Sequence, residues 1–408
     1  MIAQLQKHVG LWFLTAIALL AAIPPAIARD FTYEYAGQTL TYTVLSEEDK
    51  TCETKQGGNN YSGNYVRGEV IIPECVFDGA DTYTVTTIGE NSFYYQTGLT
   101  SVKIPNTVIT IGSNAFYRCE DLTSIEIPSS VTIIGDKAFT SCTGLTSIEI
   151  HNSVTTIGSF AFWNCKALTS IEIPSSVTTI GERAFAECYG LTSIEIPSSV
   201  TSIGSSAFQS CTSLSSVIYN CDVTGNNLFL NSPVRDFTFG GAVVPDEMVR
   251  LLCIYSVEDF TFSSPVTTIG KSAFSGISGL TSIEIPNTVT TIGESAFSGS
   301  PGLTSIEIPS TVTTIGKNAF WGCSNLTSVI NNSDAYAIDM FVNSPVSDLT
   351  IGGTIVPDFM ARDIGVWESL KRLTLTDKVI AIGEHAFDGC TGLISVKMPN
   401  TVITIGSN

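Results

Sequence analysis

Six glutamates share one repeated sequence context and are the residues best placed to bind a ligand. Each stands between two isoleucines, which is typical of a strand that turns its apolar side chains inward and its carboxylate outward. If the strands stack about 4.8 Å apart, neighbouring carboxylates repel each other by roughly 0.9 kcal/mol in bulk water. Such an acidic stripe favours a cationic partner, either a Lys/Arg-rich protein or a divalent ion. The six are Glu126, Glu149, Glu172, Glu195, Glu284 and Glu307.

The acidic stripe also has a simpler interpretation as a solvated face, because tandem duplication copies a single glutamate many times. A second candidate site lies in two irregular segments, where Tyr219-Asn220 and Asn331-Asn332 replace the regular end of a strand. Aromatic and amide side chains are frequent binding anchors. They equally suit the repacking of a distorted repeat, so both interpretations stay open.

Cysteine is the next residue type that could carry chemistry. Seven of the 11 cysteines recur at one repeat position, which Ile277 and Ser300 take elsewhere; the seven are Cys119, Cys142, Cys165, Cys188, Cys211, Cys323 and Cys390. A position that accepts Cys, Ile or Ser is a small buried slot, which favours structural thiols over metal ligands or nucleophiles. Cys52 and Cys75 lie outside this column and are the pair most suited to a disulfide, with a bridged and a free state both open.

The sequence offers no arrangement of catalytic residues. Its three histidines are His8, His151 and His385, and none accompanies a Ser-His-Asp or Cys-His pattern. The many serines belong to repeat positions, without a G-x-S-x-G elbow or a phosphate-binding loop. The formal net charge of −19 argues against a nucleic-acid partner. We therefore expect a protein that is not an enzyme and has no cofactor and no metal site.

These residues are positioned by a repeat of 23 residues. Its first residue is Leu99, Leu122, Leu145, Leu168, Leu191, Leu214, Leu280, Leu303, Leu326, Leu370 or Leu393. With that leucine as position 1, apolar residues fall at positions 1, 4, 6, 10 and 13. This spacing predicts a short strand at positions 3 to 6 that ends at proline, a second extended stretch up to glycine 14, and one or two helical turns at positions 15 to 21. The predicted fold is an α/β leucine-rich-repeat solenoid with short parallel strands and short helical turns.

The regular period is interrupted twice in the same way. The units at Leu214 and Leu326 shrink to 20 residues and are followed by divergent units, which gives irregular blocks near residues 214–256 and 326–369. Residues 29–75 read as a β-rich amino-terminal cap and residues 76–408 as the solenoid, with a degenerate first repeat opening at Val76. The last repeat stops part-way, so we expect its open end to allow self-association.

The first 28 residues predict export. Lys7 and His8 precede an apolar run from Val9 to Ile23, followed by Ala26-Ile27-Ala28. This order of charge, apolar core and small residues is typical of a secretory signal peptide cleaved near Ala28. We found no other apolar run long enough to span a membrane, so a secreted or bacterial cell-surface location is expected.

The unit Leu168–Cys188, which reads LTSIEIPSSVTTIGERAFAEC, resembles the BspA-like leucine-rich-repeat family of bacterial surface proteins. The resemblance covers residues 76–408, and residues 31–75 are similar to that family's amino-terminal cap. It implies a secreted or cell-surface protein that mediates protein–protein interaction or adhesion to host or bacterial partners. The expected partners are extracellular proteins or cell-surface ligands, and the acidic stripe favours basic ones. The alternative is a structural surface spacer or matrix component without a specific ligand.

Overall fold

The computed structural model describes residues 29–55 and 66–407. The predicted signal peptide, residues 1–28, lies outside the described residues. The described residues wind into a solenoid of about 14 coils whose strands pair in parallel with those of the next coil. Each regular coil has three faces: a long-strand face at positions 3 to 6, a short-strand face at positions 12 and 13, and a turn face at positions 15 to 21.

The strands are numbered in chain order through the molecule. Four of them lie at the amino-terminal end, namely β1 Asp30–Tyr35, β2 Gln38–Ser46, β3 Thr51–Lys55 and β5 Cys75–Phe77. The long-strand face holds β4 Gly68–Ile71, β7 Leu99–Lys103, β9 Ser124–Glu126, β11 Ser147–Glu149, β14 Ser193–Ile196, β16 Ser216–Tyr219, β17 Asp236–Phe239, β19 Asp259–Phe262, β22 Ser305–Ile308, β24 Ser328–Asn331, β25 Asp348–Ile351, β27 Arg372–Leu375 and β29 Ser395–Lys397.

The short-strand face consists mostly of two-residue strands. It holds β6 Thr82–Ile88, β8 Thr110–Ile111, β10 Ile133–Ile134, β12 Thr156–Ile157, β13 Thr179–Ile180, β15 Ser202–Ile203, β18 Val243–Val244, β20 Thr268–Ile269, β21 Thr291–Ile292, β23 Thr314–Ile315, β26 Ile355–Val356, β28 Ala381–Ile382 and β30 Thr404–Ile405. This confirms the second extended stretch predicted before glycine 14. The short-strand sheet breaks after β15 and after β23, at the two units that have only 20 residues. These units lack the residues that form the short strand in a regular coil.

The predicted helical turns at positions 15 to 21 are wrong for the regular coils. The residues at positions 16 and 20 have positive φ, as at Asn114 (53°) and Arg118 (57°), which ends any right-handed helix after a single turn. The N–H groups at positions 16, 18 and 20 bond to the next coil, as Phe116 N does to Ala138 O at 2.7 Å, and those at 17, 19 and 21 bond within the coil. A helix would keep all of these bonds within the segment, so the α/β description gives way to a β-solenoid.

Helix occurs in the described chain only as two short segments. These are α1, Met248–Leu252, and α2, Met360–Asp363, and both lie in the divergent units that follow the shortened coils. Each begins after a residue with positive φ and packs buried methionine, Met248 or Met360, against the core. The divergent units thus contain a single helical turn and still bond to the next coil, as Val249 N does to Ala273 O at 3.0 Å.

The core is a set of parallel side-chain columns. Isoleucine or valine at position 4 and isoleucine at position 6 are buried from the long strands, as Ile194 and Ile196 are. The phenylalanines at position 18 stack on each other with ring centroids 5.2–5.5 Å apart from Phe93 to Phe229, and 5.0–5.4 Å apart from Phe274 to Phe341. At position 14 the backbones of successive coils nearly touch: a Cβ on Gly181 would lie 2.3 Å from the backbone nitrogen of Ser159.

The strands at the amino-terminal end pair mainly antiparallel, whereas the strands of the solenoid pair in parallel. Strand β2 pairs antiparallel with β1 and β3, and β3 then pairs parallel with β6, which joins this end to the short-strand face. The sequence placed the first repeat at Val76, but Val76 lies in β5, which pairs antiparallel with β6. The parallel neighbour of β7 is β4 instead. The long-strand face therefore begins earlier in the chain than the leucine period indicated, because β5 is inserted between β4 and β6.

One turn at this end is held by a carboxylate. Asp78 Oδ1 accepts hydrogen bonds from the backbone N–H groups of Asp81 at 2.7 Å and Ala80 at 2.8 Å. The guanidinium of Arg29 forms an ion pair with the same carboxylate. These hydrogen bonds, with the Arg29 charge, lower the pKa of Asp78 to about 2. The turn between β5 and β6 therefore depends on an ionised Asp78.

Candidate functional site

The acidic stripe exists and faces solvent. All six predicted glutamates are exposed on the long-strand face, while the isoleucines on either side of them are buried. Glu126 lies directly opposite Glu149 in the β9–β11 register, and Glu284 opposite Glu307. The stripe thus forms two segments, one of four glutamates and one of two, separated by the first irregular block.

Three glutamates of the first segment, Glu126, Glu149 and Glu172, line a shallow groove of about 940 Å³ that runs along β7, β9, β11 and the following coil. At one end Lys103 lies opposite Glu126 in register, but its Nζ pairs with Glu69 at 3.0 Å. His151 Nδ1 is 3.5 Å from Glu149. Among the described residues, Glu126 and Glu172 have no cationic side chain within 4 Å. The groove therefore presents carboxylates whose charge the chain leaves largely uncompensated.

Both segments of the stripe end in the same way. Asn220 Nδ2 donates to Glu195 Oε1 at 2.9 Å, and Asn332 Nδ2 donates to Glu307 Oε1 at 2.8 Å. In the next coil the glutamate position is taken by Ile218 or Ile330. The two candidate sites of the sequence are therefore joined, because one asparagine of each irregular segment holds the last carboxylate of the stripe.

The other two residues of the irregular segments are internal. Tyr219 is fully buried and its hydroxyl donates to the carbonyl of Val223. Asn331 is buried as well: its Nδ2 donates to Ala335 O at 3.1 Å and its Oδ1 accepts from the Ser333 hydroxyl at 2.7 Å. Both fill the space beside the missing short strand. They support the repacking interpretation rather than that of exposed binding anchors.

The thiol column is buried and hydrogen-bonded. Six of its seven members are buried, and Cys390 is partly exposed. The sulfhydryl of Cys188 donates to the carbonyl of Phe162 in the preceding coil at 3.2 Å, and Ser300 makes the equivalent bond to Phe274 at 2.8 Å. Burial raises the pKa of Cys188 well above 9.0, which keeps the thiol neutral. Cysteine and serine share this position because both donate to the same carbonyl.

Cys52 and Cys75, which the sequence offered as a disulfide pair, are both free thiols in the structure. Strand β6 lies between their strands, so they are two strand spacings apart, about 9.6 Å, whereas bridged Cα atoms are about 4.4–6.8 Å apart. Cys52 is buried and Cys75 is exposed. The structure does not form this bridge, because the inserted β5 places the two residues on opposite edges of β6.

The sequence analysis missed a second groove, on the turn face. It has a volume of about 630 Å³ and is lined by Tyr94, Tyr117, Phe160 and Trp163, with Lys137 and Arg183 beside them. The sequence carries a signal for this groove at positions 16 and 19 of five successive repeats, where the residue type changes from unit to unit. These aromatic and basic residues are the ones that the units do not share.

The described part of the chain contains no helix long and apolar enough to cross a membrane. Within residues 29–55 and 66–407, no three His, Cys, Asp or Glu side chains are arranged to hold a metal ion.

A β-solenoid with regular leucine positions and open surface grooves defines a leucine-rich-repeat protein. The chain belongs to the BspA-type leucine-rich-repeat family: the model "BspA type Leucine rich repeat region (6 copies)" matches residues 81–160, 132–244, 252–356 and 366–408. This confirms the resemblance inferred from the repeat unit. Leucine-rich-repeat proteins generally bind other proteins and are typically not enzymes.

Several solved structures are similar to the chain. A leucine-rich repeat protein from Bacteroides ovatus is 26% identical over 92% of this chain and 91% of its own, with a TM-score of 0.40. A leucine rich cell surface protein from Faecalibacterium prausnitzii is 26% identical over 90% of this chain and 94% of its own, with a TM-score of 0.37. A leucine-rich repeat protein from T. pallidum is 25% identical over 54% of this chain and 86% of its own, with a TM-score of 0.39. No curated protein matches the chain.

Proposed function

We propose that the protein is exported to the cell surface or secreted, and that it mediates protein–protein interaction or adhesion through its long-strand face. The observation that carries the proposal is the groove of the acidic stripe, in which Glu126, Glu149 and Glu172 project into solvent from successive coils. A rigid row of carboxylates suits an extended basic segment of a partner protein, because its charges can meet lysines or arginines without rearrangement of the solenoid.

The repulsion within the stripe supports this assignment. Each neighbouring pair of carboxylates costs about 0.9 kcal/mol at 4.8 Å in bulk water, so the free protein carries a strain that a cationic partner relieves. If the partner is basic, the same carboxylates that bind it also lower the stability of the free protein. Neutralising Glu149 should raise the free energy of unfolding slightly and weaken binding, whereas neutralising a glutamate that only keeps the surface hydrated would leave binding unchanged.

The test is binding of the purified chain to a panel of extracellular matrix proteins and to a synthetic Lys/Arg-rich peptide. The triple variant Glu126→Gln, Glu149→Gln, Glu172→Gln should lose at least roughly tenfold in affinity for any ligand that binds, since charge-assisted contacts contribute about 1.5–3 kcal/mol each. Glu182→Gln, which removes a carboxylate from the turn face, is the matched control. Uniformly negligible binding would instead favour a structural spacer.

Export is tested separately. Residues 1–28 should direct secretion of a fused reporter, and mass spectrometry of the exported chain should give an amino terminus near Arg29. A chain retained in the cytoplasm with its first 28 residues intact would contradict the proposed location without affecting the binding proposal.

A further inference from the structure

The groove on the turn face is built from an alternation of aromatic and small residues. At position 19, successive coils carry Tyr94, Tyr117, Thr140, Trp163 and Ala186. The rings of Tyr94 and Tyr117 stack with centroids 4.8 Å apart and planes within 11°. Thr140 and Ala186 are both buried and lie in the coils on either side of Trp163. Because neither carries an aromatic ring, each leaves a slot beside Trp163. The face therefore has one slot above Thr140 with Tyr117 and Trp163 as its walls, and a second above Ala186 with Trp163 on one side and Gln209 on the other.

A basic residue stands at the mouth of each slot. Lys137 is in the same coil as Thr140, and Arg183 is in the same coil as Ala186, both at position 16. Both contact the ring of Phe160, with Lys137 Nζ 5.9 Å and Arg183 Cζ 5.7 Å from its centroid. Within the described residues neither has a carboxylate within 4 Å. On a chain of net charge −19, two basic residues without acidic partners beside aromatic rings form a local site for an anion.

The aromatic residues of the groove are not needed for the fold. Position 16 has a positive φ in every regular coil and holds Asn114 or Ser206 elsewhere, residues that suit this conformation better than Phe160 at 57°. Position 19 accepts Thr140 and Ala186 without loss of the turn. The fold does not require phenylalanine at this position, and the ring of Phe160 lines the groove.

We propose that this groove binds a polysaccharide that carries carboxylates, a polyuronide. Tyr117 and Trp163 are two coils apart, about 9.6 Å by the coil spacing, whereas a planar ring in van der Waals contact with both walls needs about 7–8 Å. The wider slot suits the puckered ring of a sugar, whose C–H faces pack on aromatic rings. Lys137 and Arg183 then pair with carboxylates of successive sugars along the chain. The second small residue, Ala186, lies two coils beyond Thr140 on the other side of Trp163, which lets one polymer chain contact both faces of Trp163.

An acidic peptide and a single-stranded nucleic acid are the competing ligands. A planar nucleobase is thinner than the slot, and an acidic peptide gives the aromatic walls no ring to contact. Glu187 also lines the groove, where its carboxylate accepts the Tyr189 hydroxyl at 3.2 Å. A bound polyanion must therefore lie near the Glu187 carboxylate. Removal of the negative charge of Glu187 should strengthen binding.

The test is isothermal titration of the full chain with oligosaccharides of hyaluronate and of polygalacturonate, which distinguish animal from plant sources of the same uronate chemistry. Dextran serves as the neutral control, and poly-glutamate and oligo-dT represent the competing polyanions. We expect at least one uronate oligomer to bind, with an affinity that falls as salt rises, and no binding of dextran. Stronger binding of poly-glutamate or oligo-dT than of both uronates would overturn the proposal.

The repeat supplies variants that keep the fold. Lys137→Asn with Arg183→Asn places at position 16 the residue that Asn114 already supplies, and should weaken uronate binding at least roughly tenfold. Trp163→Thr copies Thr140 and should weaken it by a similar factor, whereas Glu187→Gln should tighten it several-fold. Lys317→Ser removes a basic residue far from the groove and should change nothing. Unchanged affinity in Trp163→Thr, with an unchanged melting curve, would rule out stacking and with it the sugar.

Discussion

Replacement of one buried cysteine tests whether the thiol column contributes hydrogen bonds or only volume. In Cys188→Ala the Phe162 carbonyl loses a donor, which is 3.2 Å away in the native chain, and the coil loses the buried sulfur. The lost bond costs about 0.5–1.5 kcal/mol. The lost apolar volume, close to that of one CH₂ group, costs about 0.8 kcal/mol before any cavity contribution. The expected decrease in the free energy of unfolding is about 2 kcal/mol.

Cys188→Ser keeps the donor and replaces only the sulfur, so we expect it to cost about 1 kcal/mol, roughly half the cost of the alanine variant. Ser300→Ala makes the complementary change, because it removes the 2.8 Å bond to Phe274 from a coil that has no thiol. It should cost about 1 kcal/mol, which is the contribution of the bond alone. The two experiments measure the same interaction in the two chemical forms that the chain uses.

The assay is urea unfolding followed by far-UV circular dichroism, under reducing and non-reducing conditions. The slope of the transition must match that of the wild-type chain, since a solenoid can lose cooperativity when one coil is weakened. Equal midpoints for Cys188→Ser and Cys188→Ala, together with a wild-type midpoint for Ser300→Ala, would refute the hydrogen-bond argument. A strong effect of reductant on the wild-type chain would show instead that neighbouring thiols are cross-linked.

Three further predictions concern the glycine column, the amino-terminal turn and the last coil. Gly181→Ala should cost about 3 kcal/mol in urea unfolding, because its Cβ would contact backbone atoms, whereas Gly299→Ala meets no atom within 4 Å and should cost only about 1 kcal/mol for its φ of 64°. Asp78, with its pKa lowered to about 2, stabilises the turn fully above its ordinary value of 3.8 and loses this effect as the pH falls through about 2; hydrogen exchange at the turn should increase over that window. A polypeptide that ends at Asn408 leaves Ile405 exposed in its last coil, although the same position is buried in the preceding coil at Ile382, and should self-associate in light scattering; Ile405→Lys should keep it monomeric, and equal monodispersity of the two would contradict this.

The sequence was sufficient to predict the period, the inward columns and the outward glutamates. Each of these depends on a residue repeating at a fixed interval, and Ile194, Glu195 and Ile196 show the alternation within one strand. The family also followed from the repeat unit. The fold class was only partly right, since apolar residues at positions 17, 18 and 21 satisfy a helical spacing and a double turn equally well. What decides between them is the positive φ at positions 16 and 20, which is held by bonds to the next coil.

The remaining differences arise from contacts between units rather than within them. The bond from Asn220 to Glu195 joins residues 25 apart in different coils, and no pattern inside one repeat reveals it. The groove on the turn face depends on residues that differ from coil to coil, such as Thr140 beside Trp163. Reading each position down successive repeats, rather than along the chain, would have shown this alternation before the structure did.

The hydrogen bonds between coils run in opposite directions on different faces. On the turn face each coil donates forward, as Asn114 N does to Asp136 O at 2.9 Å. At position 14 each coil instead donates backward, as Gly135 N does to Ile111 O at 2.8 Å. A new unit copied into the array therefore meets an acceptor and a donor at every edge, and in turn offers the same set to its neighbour. Gene duplication can thus lengthen this protein at no hydrogen-bonding penalty, so its reach across a surface is a freely evolvable property.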